Sequence, residues 1–153
     1  MSLVEYPWEH VSFPTHTDER GSLTMAQSGP QGLVPFEIKR TYWLHDIKDL
    51  GKRGEHATFN GRQLMIPLSG GFAIKVSDGV TWRTFNLQAG LSTKNGQTDG
   101  ILIKPGTWRE LSNFLPGTVV LILADTLYED VDYCRNWADF LDRVKIDGAH
   151  RRG

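Results

Sequence analysis

The residues best equipped to move protons lie in two short stretches, RGEHATFNGRQLMIPLSGG (53–71) and GILIKPGTWRELSN (100–113). In the first, His56 stands two residues before Thr58, Gln63 follows five further on, and Gly70 closes the run. An imidazole near its ordinary pKa takes up and returns a proton at neutral pH, so His56 is the candidate base. Thr58 offers a hydroxyl that orients a water or another hydroxyl but is no base near neutrality. Arg53, Arg109 and Tyr42 supply N–H and O–H donors of the kind that stabilise an oxygen gaining negative charge. Arg40 and Tyr42, two apart on a strand-like run, project to the same face. The catalytic candidates are therefore His56, Tyr42 and Arg53, and the substrate-binding candidates are Arg40, Thr58, Gln63, Arg109 and Asn113. Blander readings stand beside these: His56 as a half-buried histidine serving backbone groups, Arg53 as a solvated turn residue, Arg109 lying over Trp108.

The elements that must hold these residues are mostly strands. Apolar or aromatic runs at FEIKRTYWL (36–44), QLMIPL (63–68), FAIKVSD (72–78), VTWRTFNL (80–87), GILIKP (100–105) and TVVLILA (118–124) alternate with glycine and proline. SDG (77–79) and LPGT (115–118) carry turn chemistry. RGEHA reads as a loop entering the strand after it, and LSTKNGQTDG (91–100) as a polar loop at a barrel rim. Tyr42 and Trp43 alternate, so one belongs to the interior and the other to the pocket or a dimer contact. After Asp130 the period changes. Tyr133, Trp137, Phe140, Leu141 and Val144 recur at helical spacing, which predicts a packing face on a helix over about 131–145 with Asp132 as a possible cap. Many short strands and one terminal helix predict an all-β sandwich or small barrel in a single domain over 1–153.

Composition narrows the function classes. The chain has 153 residues and a formal net charge of -1, which gives no reason to expect nucleic acid or an anionic membrane as partner. The single cysteine, Cys134, excludes an internal disulfide and cannot by itself build a thiolate metal site. No apolar run approaches a membrane span, and the start, MSLVEYPWEH, lacks signal-peptide architecture, so a cytoplasmic location is expected. The basic ending HRRG (150–153) reads as a solvated tail, and His10, His16, His45 and His150 lie outside the motifs.

The two stretches resemble, in order, the paired motifs of the cupins, in which a His-x-His, a glutamate and a later histidine hold a metal. His56 takes the first histidine position, Thr58 the second, Gln63 the glutamate, and Arg109 the last histidine, with Gly100, Pro105, Gly106 and Asn113 completing the second motif. Threonine, glutamine and a guanidinium leave only His56 able to ligate, and a guanidinium repels a cation. The resemblance so implies a metal-free cupin jelly roll (a double-stranded β-helix) with a C-terminal helix and no cofactor.

DERGSLT (18–24), VPFEIKRTYWL (34–44), RGEHA (53–57), SGGFAIKVSDG (69–79), PGTWREL (105–111) and ADTLYEDVDYCRNWADFL (124–141) extend the likeness over the whole chain. They are similar to the dTDP-4-keto-6-deoxyhexose 3,4-ketoisomerases of bacterial surface-sugar (lipopolysaccharide) biosynthesis. That resemblance implies a homodimer exchanging N-terminal strands ahead of residue 36, a dTDP-linked keto sugar in the barrel, and isomerisation through an enediol with His56 as base. The family pattern resembles RGxHAH, and here the second histidine is Thr58. The alternative class is a cupin that binds a nucleotide sugar without turning it over. A metal-dependent cupin oxygenase is disfavoured by the lost ligands.

Overall fold

The computed structural model describes residues 3–29, 32–48, 51–90 and 97–150, the side chains as far as 148. Among the described residues eleven strands and one α-helix follow one another: β1 (Trp8–Asp18), β2 (Gly21–Thr24), β3 (Arg40–Leu44), β4 (Arg53–Thr58), β5 (Gln63–Ser69), β6 (Gly71–Ser77), β7 (Trp82–Gln88), β8 (Gln97–Ile103), β9 (Thr107–Ser112), β10 (Val119–Ala124), β11 (Tyr133–Cys134) and α1 (Trp137–His150). They form two antiparallel sheets of order β2-β1-β8-β5-β10-β3 and β11-β4-β9-β6-β7. This is the expected cupin-type jelly roll with a C-terminal helix.

Three apolar layers hold the sheets. Between them pack Met65, Ile101, Ile103 and Val120 from the first sheet against Phe72, Ile74, Leu87 and Leu111 from the second. The outer face of the first sheet buries Phe13, Leu64, Ile66 and Leu123 under Val34 and Phe36 of the incoming chain. The outer face of the second buries Ala57 and Trp108 under Phe140 of α1. A strand covered on both faces loses the polar half of its alternation, which is why QLMIP in β5 is an unbroken buried run.

Several boundaries differ from the sequence reading. RGEHAT is itself strand β4, not a loop. The polar segment WEHVSFPTHTD is the long strand β1, which pairs with β8 as far as Pro14 and with β2 beyond it. Proline lacks the N–H that a continuous ladder needs, and it stands where the strand changes partner. Only Arg40–Leu44 of FEIKRTYWL pairs as a strand; Phe36 instead packs on the outer face. Of the stretch read as a rim loop, 97–100 belongs to β8, while 91–96 lie outside the described residues, as do 151–153 of the basic tail.

The helix begins at Trp137 rather than near 131. Asn136 is its cap, accepting at Oδ1 from the Asp139 N–H at 3.1 Å. Asp132 serves a different end: its Oδ1 accepts from the Phe59 and Asn60 N–H groups at 2.9 and 3.0 Å. That tie brings the chain back along β4, where Tyr133 and Cys134 pair with Thr58 and Ala57. Tyr133 therefore leaves the helical packing face on which Trp137, Phe140, Leu141 and Val144 remain.

Candidate active site

His56 and Arg109 face each other across β4 and β9. Side chains directly opposite in an antiparallel pair share a face, so both point between the sheets. Arg53 is three residues from His56, a spacing that puts two side chains on opposite faces of a regular strand. A bulge at Glu55 absorbs one residue: Arg53 pairs with Leu111, His56 with Arg109, and the register shifts between. Both therefore lie on the inward face, with Arg53 exposed at its rim. The bulge needs left-handed backbone at Gly54 (φ +83°) and Glu55 (φ +53°). A Cβ at position 54 would stand 2.8 Å from the Arg109 carbonyl oxygen, so the ladder admits only glycine there.

The same bulge orients the imidazole. Nδ1 of His56 donates to the Gly54 carbonyl at 3.0 Å, which leaves Nε2 as acceptor. Arg109 Nη1 donates to that Nε2 at 3.1 Å. Its guanidinium also reaches Gln63 Oε1 at 3.3 Å and Thr58 Oγ1 at 3.3 and 3.5 Å. All four cupin ligand positions thus converge, but on a guanidinium: one position supplies the cation and the other three are its acceptors. Among the described residues no group of three or more His, Cys, Asp or Glu converges to hold a metal ion.

Arg109 is fully buried, and among the described residues no carboxylate forms an ion pair with it. Its Nε has no hydrogen-bond partner there. Burial pulls its pKa down to about 10, partly offset by Tyr42, Tyr133 and Asp132, so it stays cationic at neutral pH. A buried charge held only by neutral acceptors is costly unless an anion completes it. For His56, burial first and the Arg109 charge second depress the pKa to about 4, with Arg135 adding to the effect and the Gly54 bond opposing it. The imidazole is neutral at pH 7.

Tyr42 faces inward from β3 and packs on the central core, while its neighbour Trp43 is turned outward and 57% exposed. Burial, then the neighbouring Tyr133, raise the Tyr42 pKa to about 12, so it is a neutral O–H donor. The Arg40 guanidinium lies 5.1 Å from the Tyr42 ring and 5.6 Å from the Tyr128 ring, with its Nε buried and unpartnered among the described residues.

Of the candidates, His56, Thr58, Gln63 and Arg109 are in direct contact, Tyr42 and Arg40 face the same interior from β3 of the first sheet, and Arg53 stands at its rim. Asn113 does not join them. It is exposed where the chain leaves β9, with φ +52°, a left-handed conformation that asparagine adopts more readily than most residues. The sequence reading missed the segment after β10. Tyr133 sets its ring 4.9 Å from that of His56, Tyr128 lies 5.5 Å from Tyr133, and Arg135 crosses the Tyr133 ring at 5.0 Å. Asp130 gathers the segment by accepting from Tyr128 and Arg135. The signal that could have found Tyr133 is Asn136-x-x-Asp139, a cap spacing that starts the helix late and leaves residue 133 outside it.

Comparison with known proteins agrees with this fold. A curated relative, the TDP-4-oxo-6-deoxy-alpha-D-glucose-3,4-oxoisomerase of Aneurinibacillus thermoaerophilus, is 28% identical over 143 residues, covering 94% of this chain and 96% of the relative. A 3,4-ketoisomerase from Helicobacter canadensis superposes with a TM-score of 0.82 at 30% identity, over 92% of this chain and 99% of that one. The 3,4-ketoisomerase QdtA from Thermoanaerobacterium thermosaccharolyticum does so at 0.81 and 27% identity, over 93% and 96%. That structure is a histidine-to-asparagine mutant in complex with TDP-4-keto-6-deoxyglucose. Residues 8–145 match the family described as FdtA: WxcM-like, C-terminal, and the chain belongs to it.

Proposed function

We propose that this protein is a sugar-nucleotide 3,4-ketoisomerase, acting on a dTDP-linked 4-keto-6-deoxyhexose destined for surface-polysaccharide biosynthesis. The observation that carries the reading is a neutral imidazole, fixed in one tautomer, beside an enclosed guanidinium that forms no ion pair with a carboxylate among the described residues. The C3 proton of such a sugar is acidified by the C4 carbonyl. His56 Nε2 takes that proton, the C3–H pair becomes the C3=C4 bond, and the carbonyl pair moves onto O4. The enediolate oxygen is an anion of the kind the Arg109 site can complete, with Tyr42 as a neutral donor to the same oxygen.

In this structure the Nε2 lone pair accepts from Arg109. When the guanidinium turns its N–H toward the developing oxyanion, the imidazole is freed to act as base. Charge stabilisation and base activation are then one event. Collapse of the enediol with the proton returned to C4 gives the 3-keto sugar, and no electrons enter or leave. The activities of the curated relative and of the solved structures support this reading over a cupin that only binds.

Arg53, at the rim, and Arg40, between Tyr42 and Tyr128, are placed to meet the negative nucleotide end. The protein is further read as a cytoplasmic homodimer. The outer face of the first sheet carries a groove of about 570 Å3 lined by Phe13, Ile38, Ile66, Leu68, Leu121 and Leu123, with Trp43 exposed on the same face. A second copy fits such an apolar sheet face, and exchange of β1 and β2 would make the β1–β8 pairing between copies.

The test is incubation with TDP-4-keto-6-deoxyglucose, following the ketone by 13C NMR. We expect the signal to move from C4 to C3 in the natural protein. In His56→Asn it stays at C4 while TDP still binds. A natural protein that binds TDP and leaves the ketone at C4 overturns the reading.

A further inference from the structure

Resting on the isomerase reading, the reaction has a second proton to move. The carbon proton passes from C3 to C4, and a hydroxyl proton must also leave O3 and reach O4. While His56 holds the carbon proton it cannot hold the other. The motif's second histidine would be the natural carrier, but position 58 is threonine, which does not titrate near neutrality. Gln63 has no titratable proton, and Arg109 keeps its protons at neutral pH. Beside His56 and Thr58, the phenolic O–H groups among the described residues are those of Tyr133, in ring contact with His56, and of Tyr42.

Register distinguishes the two. Tyr133 is the cross-strand partner of Thr58 itself, so both side chains leave the sheet on the same side. Its ring meets the His56 ring at 4.9 Å, tilted by 39°. Tyr133 is also near enough to Tyr42 to raise its pKa. Tyr42 is packed into the central core, where a phenolate is strongly disfavoured. The two-residue strand β11, held in place by the Asp132 contacts to Phe59 and Asn60, brings Tyr133 to this position.

We infer that Tyr133 is the proton carrier between O3 and O4, supplying from the opposite strand the function that the second motif histidine would have had. Its phenol gives a proton to O4 as the C4 carbonyl becomes the enediol. It recovers one from O3 as the C3 carbonyl forms, so the phenol is restored each turnover.

The test separates carbon from oxygen proton transfer. Full-length natural protein, Tyr133→Phe and Tyr133→Phe/Thr58→His are each given TDP-4-keto-6-deoxyglucose in D2O. NMR then follows both deuterium entry at C3 and migration of the ketone, with TDP binding and circular dichroism as checks on folding. Phenylalanine keeps the ring against His56, so a purely packing role predicts a rate near that of the natural protein. The proposal predicts migration slowed by roughly 10²-fold or more, the usual contribution of a positioned acid or base. Deuterium entry at C3 should persist, and the added histidine should restore migration. Migration within a few-fold of the natural rate in Tyr133→Phe overturns the proposal. So does parallel loss of exchange and migration that the histidine does not rescue, because Tyr133 would then act by positioning His56. A natural protein that neither exchanges nor migrates removes the isomerase reading and this proposal together, an outcome distinct from loss in the variant alone.

Discussion

Replacing Arg109 by glutamine tests the coupling of charge and base directly. The His56 pKa falls from 6.5 to about 4, which corresponds to roughly 3 kcal/mol against the charged imidazole at 1.36 kcal/mol per pH unit. Burial is the larger cause and the Arg109 charge the second, so the guanidinium accounts for less than half. Removing it, together with its 3.1 Å bond to Nε2, should lift the His56 midpoint by about one pH unit. Both changes push the same way, since each favours the neutral ring. The imidazole becomes the stronger base, yet the enediolate loses its enclosed cation, and loss of such a donor costs on the order of 10²–10³ in kcat. A better base in a slower enzyme is a combination that simple damage to the fold does not produce. The assay is NMR titration of the His56 Cε1–H in the natural protein, Arg109→Gln and Arg109→Lys, with kcat for each. The lysine variant keeps the charge and should hold the midpoint low while losing the fork to Thr58 and Gln63. A glutamine variant whose midpoint stays at or below that of the natural protein would refute the reasoning.

The same depressed pKa links stability to pH. The unfolded chain binds a proton at His56 near pH 6.5 and the folded protein only near 4, so this contribution is complete above pH 6.5 and lost as pH falls through 4. The stability difference between the natural protein and His56→Asn, from urea unfolding, should shrink by about 3 kcal/mol between pH 7 and pH 4; a difference that does not change with pH would sink the assignment. For assembly, light scattering at micromolar concentration should give twice the chain mass for the natural protein and the single mass for Trp43→Glu. A natural protein that scatters as one chain and still binds TDP argues against the apolar sheet face as an interface.

The resemblance to the paired cupin motifs was enough to bring together His56, Thr58, Gln63 and Arg109. They occupy fixed places in two motifs of short strands and tight turns, and a strand's alternation carries residue identity into direction. The loss of metal ligation was equally legible, because it follows from side-chain chemistry alone. Arg40 and Tyr42 on one face came from the same period of two. Which face was interior did not, since that depends on what packs on each side: Tyr42 meets the central core and Trp43 the outside.

Tertiary structure decided the rest. The bulge at Glu55 breaks the period locally and returns Arg53 to the His56 face, a departure that no count of residues contains. Asn113 kept its motif spacing, yet it stands in a left-handed turn beyond the strand that aims Arg109 inward. Tyr133 has helical spacing to Trp137 and Phe140, but Asn136 caps the helix and Asp132 ties the preceding chain to β4. The pairing of Tyr133 with Thr58 joins residues 75 positions apart, and such a contact exists only once the second sheet has formed. Periodicity is a local property and reports local direction. The charge on His56 and the company it keeps are set by burial and by long-range pairing, which only the folded chain has.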